Sequence, residues 1–239
     1  MSDVELLDLL GRGESLSVPE RAVLLARAAD REIDANLLPL GERDALILRL
    51  RAQLFGPTLE AQDRCPQCHE LASLEVDCTE LQRAGSATDA AVIHVSVDGI
   101  DIVARPPTSA DVIAAGSSSD AESARIALLS EIVLQAIRDD APVAVTALPR
   151  DAVREVGRRV VESDPLAEIS LSVTCDSCGG NWDTLLDPGD FVWRELREWG
   201  KRLLWEVHVL ARSYGWPEHE TLSLPPSRRQ AYLRMVLGD

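Results

Sequence analysis

Apolar residues recur at spacings of three and four in the first and last thirds of the chain, which predicts amphipathic helices there. Ser17 and Glu20 fit a capping box, and Pro19 fits the first turn of a helix that begins there. A second helix is predicted over 41–55, where Gly56-Pro57 ends it. Its apolar stripe is Leu46, Ile47, Leu50 and Leu54.

The middle of the chain contains both strand-like and helix-like patterns of apolar residues. Runs at 92–97 and 100–103 flank Asp98-Gly99, and a two-residue Asp-Gly between β-branched runs is a strong hairpin signal. Segment 105–109 ends the second strand and can cap a helix that starts near Ala110. A further helix is predicted over 150–162 and a strand over 168–174. One more amphipathic helix is predicted from the spacing of Ile126, Leu129, Val133 and Ile137.

The last third begins with a predicted short strand over 182–186 and a turn at Pro188-Gly189-Asp190. A long helix follows and ends at Gly215-Trp216-Pro217, and a final helix is predicted over 227–237. One face of the long helix carries Val192, Leu196, Trp199, Leu203, Val207, Leu210 and Tyr214.

The charge is strongly negative and unevenly distributed. The chain has 239 residues and a formal net charge of −16. Segment 65–189 holds 21 acidic and 8 basic residues, whereas 190–239 holds 7 and 8. This balance argues against nucleic-acid and anionic-membrane partners. No apolar run approaches the ~20 residues of a membrane helix, and the acidic N-terminus lacks the basic region of a secretory signal. We therefore expect a cytoplasmic protein.

Four of the five cysteines form two pairs of identical spacing, Cys65-x-x-Cys68 and Cys175-x-x-Cys178. A Cys-x-x-Cys turn can direct two thiolates at one ion, and two such turns complete a tetrahedral four-sulfur shell. The pattern predicts a structural Zn²⁺ ion held by Cys65, Cys68, Cys175 and Cys178. Four protein ligands leave no open position for catalysis.

Three other interpretations of these cysteines exist. A disulfide is disfavoured in a reducing cytoplasm. A thioredoxin-like redox site normally uses one pair at a helix N-terminus, and here there are two matched pairs. The third is that the thiols are unrelated, which the repeated spacing disfavours. His69 could replace a ligand but is more simply a polar neighbour, and Cys78 is expected to be a small core residue.

The pairs are separated by 106 residues, far more than the 15–20 of an ordinary zinc ribbon. We interpret the gap as an insertion. The predicted fold class is α+β: helical N- and C-terminal parts joined at a discontinuous four-cysteine zinc ribbon, with an inserted subdomain of a β-hairpin plus helices. The predicted domains are an N-terminal helical region 1–64, the split ribbon 65–80 and 166–189, the insertion 81–165, and a C-terminal helical region 190–239.

Motifs of common enzyme classes are missing from the sequence. It contains no Gly-rich phosphate loop, no H-E-x-x-H and no G-x-S-x-G. The four histidines show no spacing that suggests a triad or a catalytic metal. We therefore expect a protein that is not an enzyme and has no small-molecule substrate.

Three segments together resemble a known family. They are Leu38–Ala45 running on to Cys68, Ala104–Asp111, and His208–Pro217 continuing to Tyr232. Their order and spacing are similar to the T-even-phage-type baseplate protein family, often called the baseplate hub assembly chaperone family, found in contractile phage tails and phage-tail-like contractile injection systems. The four-cysteine site departs from that pattern, so the zinc prediction rests on spacing and not on the resemblance.

The resemblance implies a non-enzymatic assembly factor or structural component of a baseplate. Its implied partners are other baseplate, hub or spike proteins of a contractile injection particle, in which the chain itself could reside. An alternative hypothesis is a zinc-ribbon nucleic-acid-binding regulator with a C-terminal helix-turn-helix-like element, which the net charge disfavours.

The C-terminal segment is a candidate partner-binding surface. Eight of the nine aromatic residues lie after residue 180. The segment predicts a helix, a Gly-Trp-Pro turn and a second helix, and large aromatics dominate both binding hot spots and cores. The candidate anchors are Tyr214, Trp216 and Tyr232, with Arg228 and Arg229 as polar contacts. The simpler alternative is that the long helix buries its aromatic and leucine face against the N-terminal helices.

Overall fold

A computed structural model describes residues 1–85 and 92–238, with the backbone alone for Ala84 and Gly85. Segment 86–91, inside the predicted insertion, and residue 239 lie outside the described residues. The helices are α1 Asp3–Gly13, α2 Val18–Ala29, α3 Leu40–Phe55, α4 Cys78–Gly85, α5 Ser109–Ala115, α6 Ala121–Ile132, α7 Arg150–Ser163, α8 Pro188–Tyr214, α9 Glu218–Ser223 and α10 Pro226–Leu237. The strands are β1 Thr58–Arg64, β2 Leu71–Asp77, β3 Ile93–Val97, β4 Ile100–Ala104, β5 Val133–Arg138, β6 Ala141–Pro142, β7 Ile169–Thr174 and β8 Asn181–Leu186. The α+β class is confirmed.

The chain divides into two compact units, and the division falls inside α8. One unit contains residues 1–16 and 192–239. In it α1 packs closely on α8: a β-carbon on Gly13 would lie 2.2 Å from the Trp193 ring, and one on Gly200 would lie 2.4 Å from Leu10 Cδ1. A side chain at position 13 would collide with the Trp193 ring, whereas one at position 200 would only displace the end of the Leu10 side chain.

A buried arginine ties α10 into the same unit. The side chain of Arg229 is only 6 % exposed; its Nη1 lies 2.9 Å from Asp3 Oδ2 and its Nε 2.7 Å from Glu206 Oε2. Its charge is therefore balanced inside the unit by carboxylates from α1 and α8, as a buried guanidinium requires.

The other unit contains residues 17–191 and three antiparallel sheets. Two are hairpins, β1-β2 and β7-β8, and the third is a four-stranded meander in the order β3-β4-β5-β6. The meander shares one hydrophobic core with α6 and α7, drawn from residues 93–160. The two hairpins share a second core with α3 and α4, centred on Leu48, Leu59 and Ile169.

Several local predictions are confirmed. The Ser17–Glu20 capping box starts α2. Asp98 and Gly99 both have positive φ, as a two-residue hairpin turn of this kind requires. α3 ends at Phe55, where Gly56 adopts a φ of 94°. α8 ends before Gly215, which is in the left-handed region.

One predicted helix is wrong in its second half. The helix drawn through Ile126, Leu129, Val133 and Ile137 ends at Ile132, and Val133–Arg138 is strand β5. β5 pairs with β4, with Ala136 opposite Ile102. The spacing of apolar residues within a segment does not show whether a partner strand lies about thirty residues away. Pairing with that partner determines that Val133–Arg138 is a strand.

The predicted turn at Pro188-Gly189-Asp190 is also wrong, since these residues form the first turn of α8. Asp187 supplies the cap: its Oδ1 accepts the backbone N–H of Asp190 at 3.0 Å. Proline fits the first helical position because that N–H has no partner within a helix. The strands β1 and β6 and the helices α4 and α9 were not predicted from the sequence.

Candidate metal centre

Each Cys-x-x-Cys pair occupies the turn of an antiparallel hairpin. The first turn joins β1 to β2, where Arg64 pairs with Leu71. The second joins β7 to β8, where Thr174 pairs with Asn181. Both turns contain six residues and begin with a cysteine, so the two hairpins present their thiols in the same way.

The first turn is closed by two backbone hydrogen bonds. The Cys65 N–H donates to the Glu70 carbonyl and the His69 N–H donates to the Cys65 carbonyl, both at 2.9 Å. His69 has a φ of 63°. The chain therefore reverses immediately after Cys68, and His69 has a backbone role in the turn.

The second turn repeats this pattern. The Cys175 N–H donates to the Gly180 carbonyl and the Gly179 N–H donates to the Cys175 carbonyl, both at 2.8 Å. Gly179 has a φ of 71° at the position that His69 occupies in the first turn. A glycine there adopts the left-handed region without the steric cost that other residues carry.

The structure brings the four thiols into one cluster. The Cys65 and Cys178 Sγ atoms are 3.6 Å apart, as are those of Cys68 and Cys175, and all four lie within 4.8 Å of one another. With Zn–S bonds of about 2.3 Å, tetrahedral geometry places sulfurs about 3.8 Å apart. A disulfide needs about 2.05 Å, and all four are free thiols. The cluster could thus hold a metal ion with four sulfur ligands.

Burial and hydrogen bonding divide the thiols unevenly. Cys65 and Cys175 are buried, Cys68 is half-buried and Cys178 is exposed. The backbone N–H groups of Cys68 and Gln67 lower the pKa of Cys65 to about 7. The N–H of Glu70 acts in the same direction on Cys68, but burial and the adjacent thiols outweigh it and raise its pKa to about 12. Cys65 therefore loses its proton readily and Cys68 keeps its proton, as expected when negative charges crowd together.

Polypeptide contacts also join the two hairpins. The Gln67 side chain lies over Gly180, where a β-carbon would be 2.5 Å from Gln67 Oε1. Farther along the strands, Trp182 Nε1 donates to Asp63 Oδ2 at 3.0 Å. Hydrogen bonds from Trp182 and Thr184 hold the pKa of Asp63 below its usual value. The contacts of Gln67 with Gly180 and of Asp63 with Trp182 were not predicted, because each joins residues more than 100 positions apart in sequence.

Cys78 lies outside the thiol cluster. It is fully buried in the core that Leu48, Leu59 and Leu166 also form. The expectation of a small core residue is therefore confirmed.

The predicted C-terminal anchors form a compact group of rings. Tyr214 stacks on Trp216 with centroids 4.7 Å apart, and Tyr232 meets both rings edge-on at 5.7 and 4.9 Å. Tyr214 remains 40 % exposed. Arg228 is exposed, whereas Arg229 is the buried arginine that pairs with two carboxylates. The structure thus separates two residues that the sequence analysis grouped together.

Within residues 1–85 and 92–238, no helix is both long and apolar enough to cross a membrane. No curated protein and no solved structure matches the chain. A model of the T4 bacteriophage base plate protein family matches residues 22–193, a range that includes every strand and both cysteine turns. The chain belongs to the T4 bacteriophage base plate protein family.

Proposed function

We propose that this chain is a non-enzymatic structural component or assembly factor of the baseplate of a contractile, phage-tail-like injection system. Its partners would be other baseplate, hub or spike subunits, and it would join them in the cytoplasm. The observation that carries the proposal is the family match over residues 22–193. That range coincides almost entirely with the unit formed by residues 17–191.

We further propose that Cys65, Cys68, Cys175 and Cys178 bind one structural Zn²⁺ ion. The sulfur distances support this, since the 3.6 Å pairs fit a tetrahedral four-thiolate shell without a change of turn geometry. Tetrahedral four-sulfur sites suit zinc or iron, and zinc carries no redox chemistry. Four protein ligands close the shell, which supports a role in stability and not in catalysis.

The ion would act as a cross-link between two hairpins whose cysteine pairs are separated by 106 residues in sequence. The intervening chain includes the four-stranded meander and α7. Closing so long a loop costs conformational entropy, and metal binding offsets that cost in the folded state. The hairpins can then serve as one rigid support within the family-matched unit.

The C-terminal helices supply the proposed partner contacts. The exposed edges of Tyr214, Trp216 and Tyr232, with Arg228 beside them, would form the contact surface. Three rings already packed together lose little side-chain entropy on binding, which is a property of good anchors. The buried Arg229 contributes by positioning α10.

Deletion of the gene in its native host tests the proposed function. We expect particles or tubes without complete baseplates in electron micrographs, and rescue by a plasmid copy of the wild-type gene. A copy with the four cluster cysteines changed to serine should fail to rescue, whereas the Cys78→Ser copy should succeed. Normal baseplates after deletion would contradict the proposal. Salt-sensitive DNA binding by the purified chain would instead favour the regulator hypothesis.

Elemental analysis of the purified chain tests the metal. We expect about one zinc per chain and none after substitution of the four thiols. Iron in place of zinc, or no metal in protein purified with its thiols reduced, would contradict the assignment.

A further inference from the structure

α8 exposes a tryptophan at the centre of its outward face. Trp205 is 51 % exposed and Leu204 is 50 % exposed, although each belongs to a residue type that normally packs inward. The inward side of the helix holds Leu203, Val207 and Leu210, all buried. Trp205 follows Leu203 by two positions, and about 100° per residue places the two on nearly opposite sides of the helix.

Cationic side chains surround this tryptophan. Arg202, Lys201 and Arg212 are exposed and lie three, four and seven positions from Trp205, spacings that place them on the same side of the helix. Two acids lie near them on α8 and both are already paired, Glu198 with Lys201 Nζ and Glu206 with Arg229 Nε. In a chain with a net charge of −16, this face is therefore locally basic.

We propose that this surface, formed by Lys201, Arg202, Leu204, Trp205 and Arg212 and here called the Trp205 face, docks a protein segment. The partner segment would present an apolar surface for Trp205, surrounded by Asp or Glu side chains. Tryptophan and arginine are the residue types most enriched at binding hot spots. The inference deepens the proposed function, on which it rests for the partner being a subunit of the same particle.

Charge complementarity selects the chemistry of this partner. Three basic side chains around an apolar centre match a small acidic rim and place the carboxylates where water is excluded. A nucleic acid would meet the same three cations, but its extended phosphate backbone would also meet the field of a strongly acidic chain. A protein segment confines its charge to the rim, so the observations favour it.

The Trp205 face differs from the aromatic group at the end of α8. Tyr214 follows nine residues after Trp205, which places it about 180° around the helix. Tyr214 also has ring partners, Trp216 and Tyr232, that occupy its surface. The two surfaces can therefore be tested by separate substitutions.

Site-specific photo-crosslinking in the native host tests the inference. A benzophenone amino acid is introduced at position 205, and at position 234 of α10 as an exposed control. Crosslinked peptides are identified by mass spectrometry from intact particles and from cell extract. We expect position 205 to crosslink to one protein, at a segment with apolar residues and a net negative charge. Position 234 should not give that product.

A charge change then tests the electrostatic part. Adding Arg202→Glu should reduce the yield of the position-205 product at least about tenfold, while Arg234→Glu should leave it unchanged. Thermal unfolding of each variant should match wild type, because the altered side chains are exposed. A product with nucleic acid, with a second copy of this chain or with a basic segment would overturn the inference, as would no product. An acidic segment of a protein foreign to the particle would support the surface and contradict the proposed function.

Discussion

Removal of the proposed zinc ion should open the two cysteine turns while leaving the meander folded. The sharpest perturbation is Cys178→Ser, because this thiol is exposed and its loss disturbs packing least. Cys65→Ser should have the same effect with an added packing cost, since Cys65 is buried. Cys78→Ser is the matched control, and we expect a much milder change because it lies outside the cluster.

The size of the expected effect follows from the free energies of the interactions that join the hairpins. The hydrogen bond from Trp182 to the Asp63 carboxylate contributes about 1.5–3 kcal/mol at most, as bonds to charged groups do. A four-thiolate zinc ion contributes about 10–16 kcal/mol in small peptides at neutral pH. The ion therefore outweighs this hydrogen bond near the cysteine turns, whereas the core around Leu48, Leu59 and Ile169 holds the rest of the hairpins together. The meander core, drawn from residues 93–160, does not include the cysteines and should survive its loss.

Hydrogen exchange with and without a zinc chelator measures this directly. Amides in the turns 65–70 and 175–180 should lose protection by at least about a hundredfold on chelation or in the Cys178→Ser variant. Amides of β4 and β5 should change little. Acidification should produce the same opening, since thiolates must be deprotonated to bind the metal. If both turns keep their protection after complete removal of metal, the ion does not join the hairpins and the reasoning fails.

Three further predictions concern stability. Burial raises the pKa of Asp44 to about 7, so the folded state keeps this proton to a higher pH than the unfolded state does. The free energy of unfolding should therefore fall as the pH rises from about 4 to 7. Asp44→Asn should flatten that dependence in urea titrations at several pH values. Arg229→Ala should cost about 3 kcal/mol because it leaves two half-buried carboxylates without their cation. Arg228→Ala should change the unfolding free energy by less than about 0.5 kcal/mol, because Arg228 is exposed. Gly13→Ala should cost about 1–3 kcal/mol by crowding the Trp193 ring, while Gly11→Ala, with open space around it, should be neutral or stabilising by calorimetry.

The cysteine spacing carried most of what could be predicted about the site. Two identical Cys-x-x-Cys pairs indicated a shared four-sulfur cluster, and the thiols are within 4.8 Å of one another. The Asp98-Gly99 hairpin and the Ser17 cap could also be predicted, because each depends on a few adjacent residues. Signals of this kind are local, and they remain valid in any tertiary context that keeps the turn.

Other features depended on partners that are distant in sequence. β1 has only one fully buried residue, Leu59, among alternating polar ones, so its strand character comes from pairing with β2. β5 was predicted as helix for the same reason, since its pairing with β4 is not encoded in its own spacing. The pairing of Arg229 with Asp3 also joins opposite ends of the sequence. An arginine beside an exposed neighbour of the same type gives no sign that it is buried.

A last prediction separates the contribution of the ion from that of the polypeptide. Trp182→Phe removes the indole N–H that reaches Asp63 and keeps most of the apolar ring. If the ion dominates, the metal-bound protein should melt within about 3 °C of wild type, because the lost hydrogen bond is small beside the metal. The apo protein should respond much more, since this bond is then a side-chain hydrogen bond that joins the two hairpins beside their shared core. We therefore expect zinc loss to a competing chelator to become several times faster in Trp182→Phe, with Trp199→Phe in α8 as the matched control. Equal effects on metal-bound and apo protein would mean that the strands, and not the ion, hold the hairpins together.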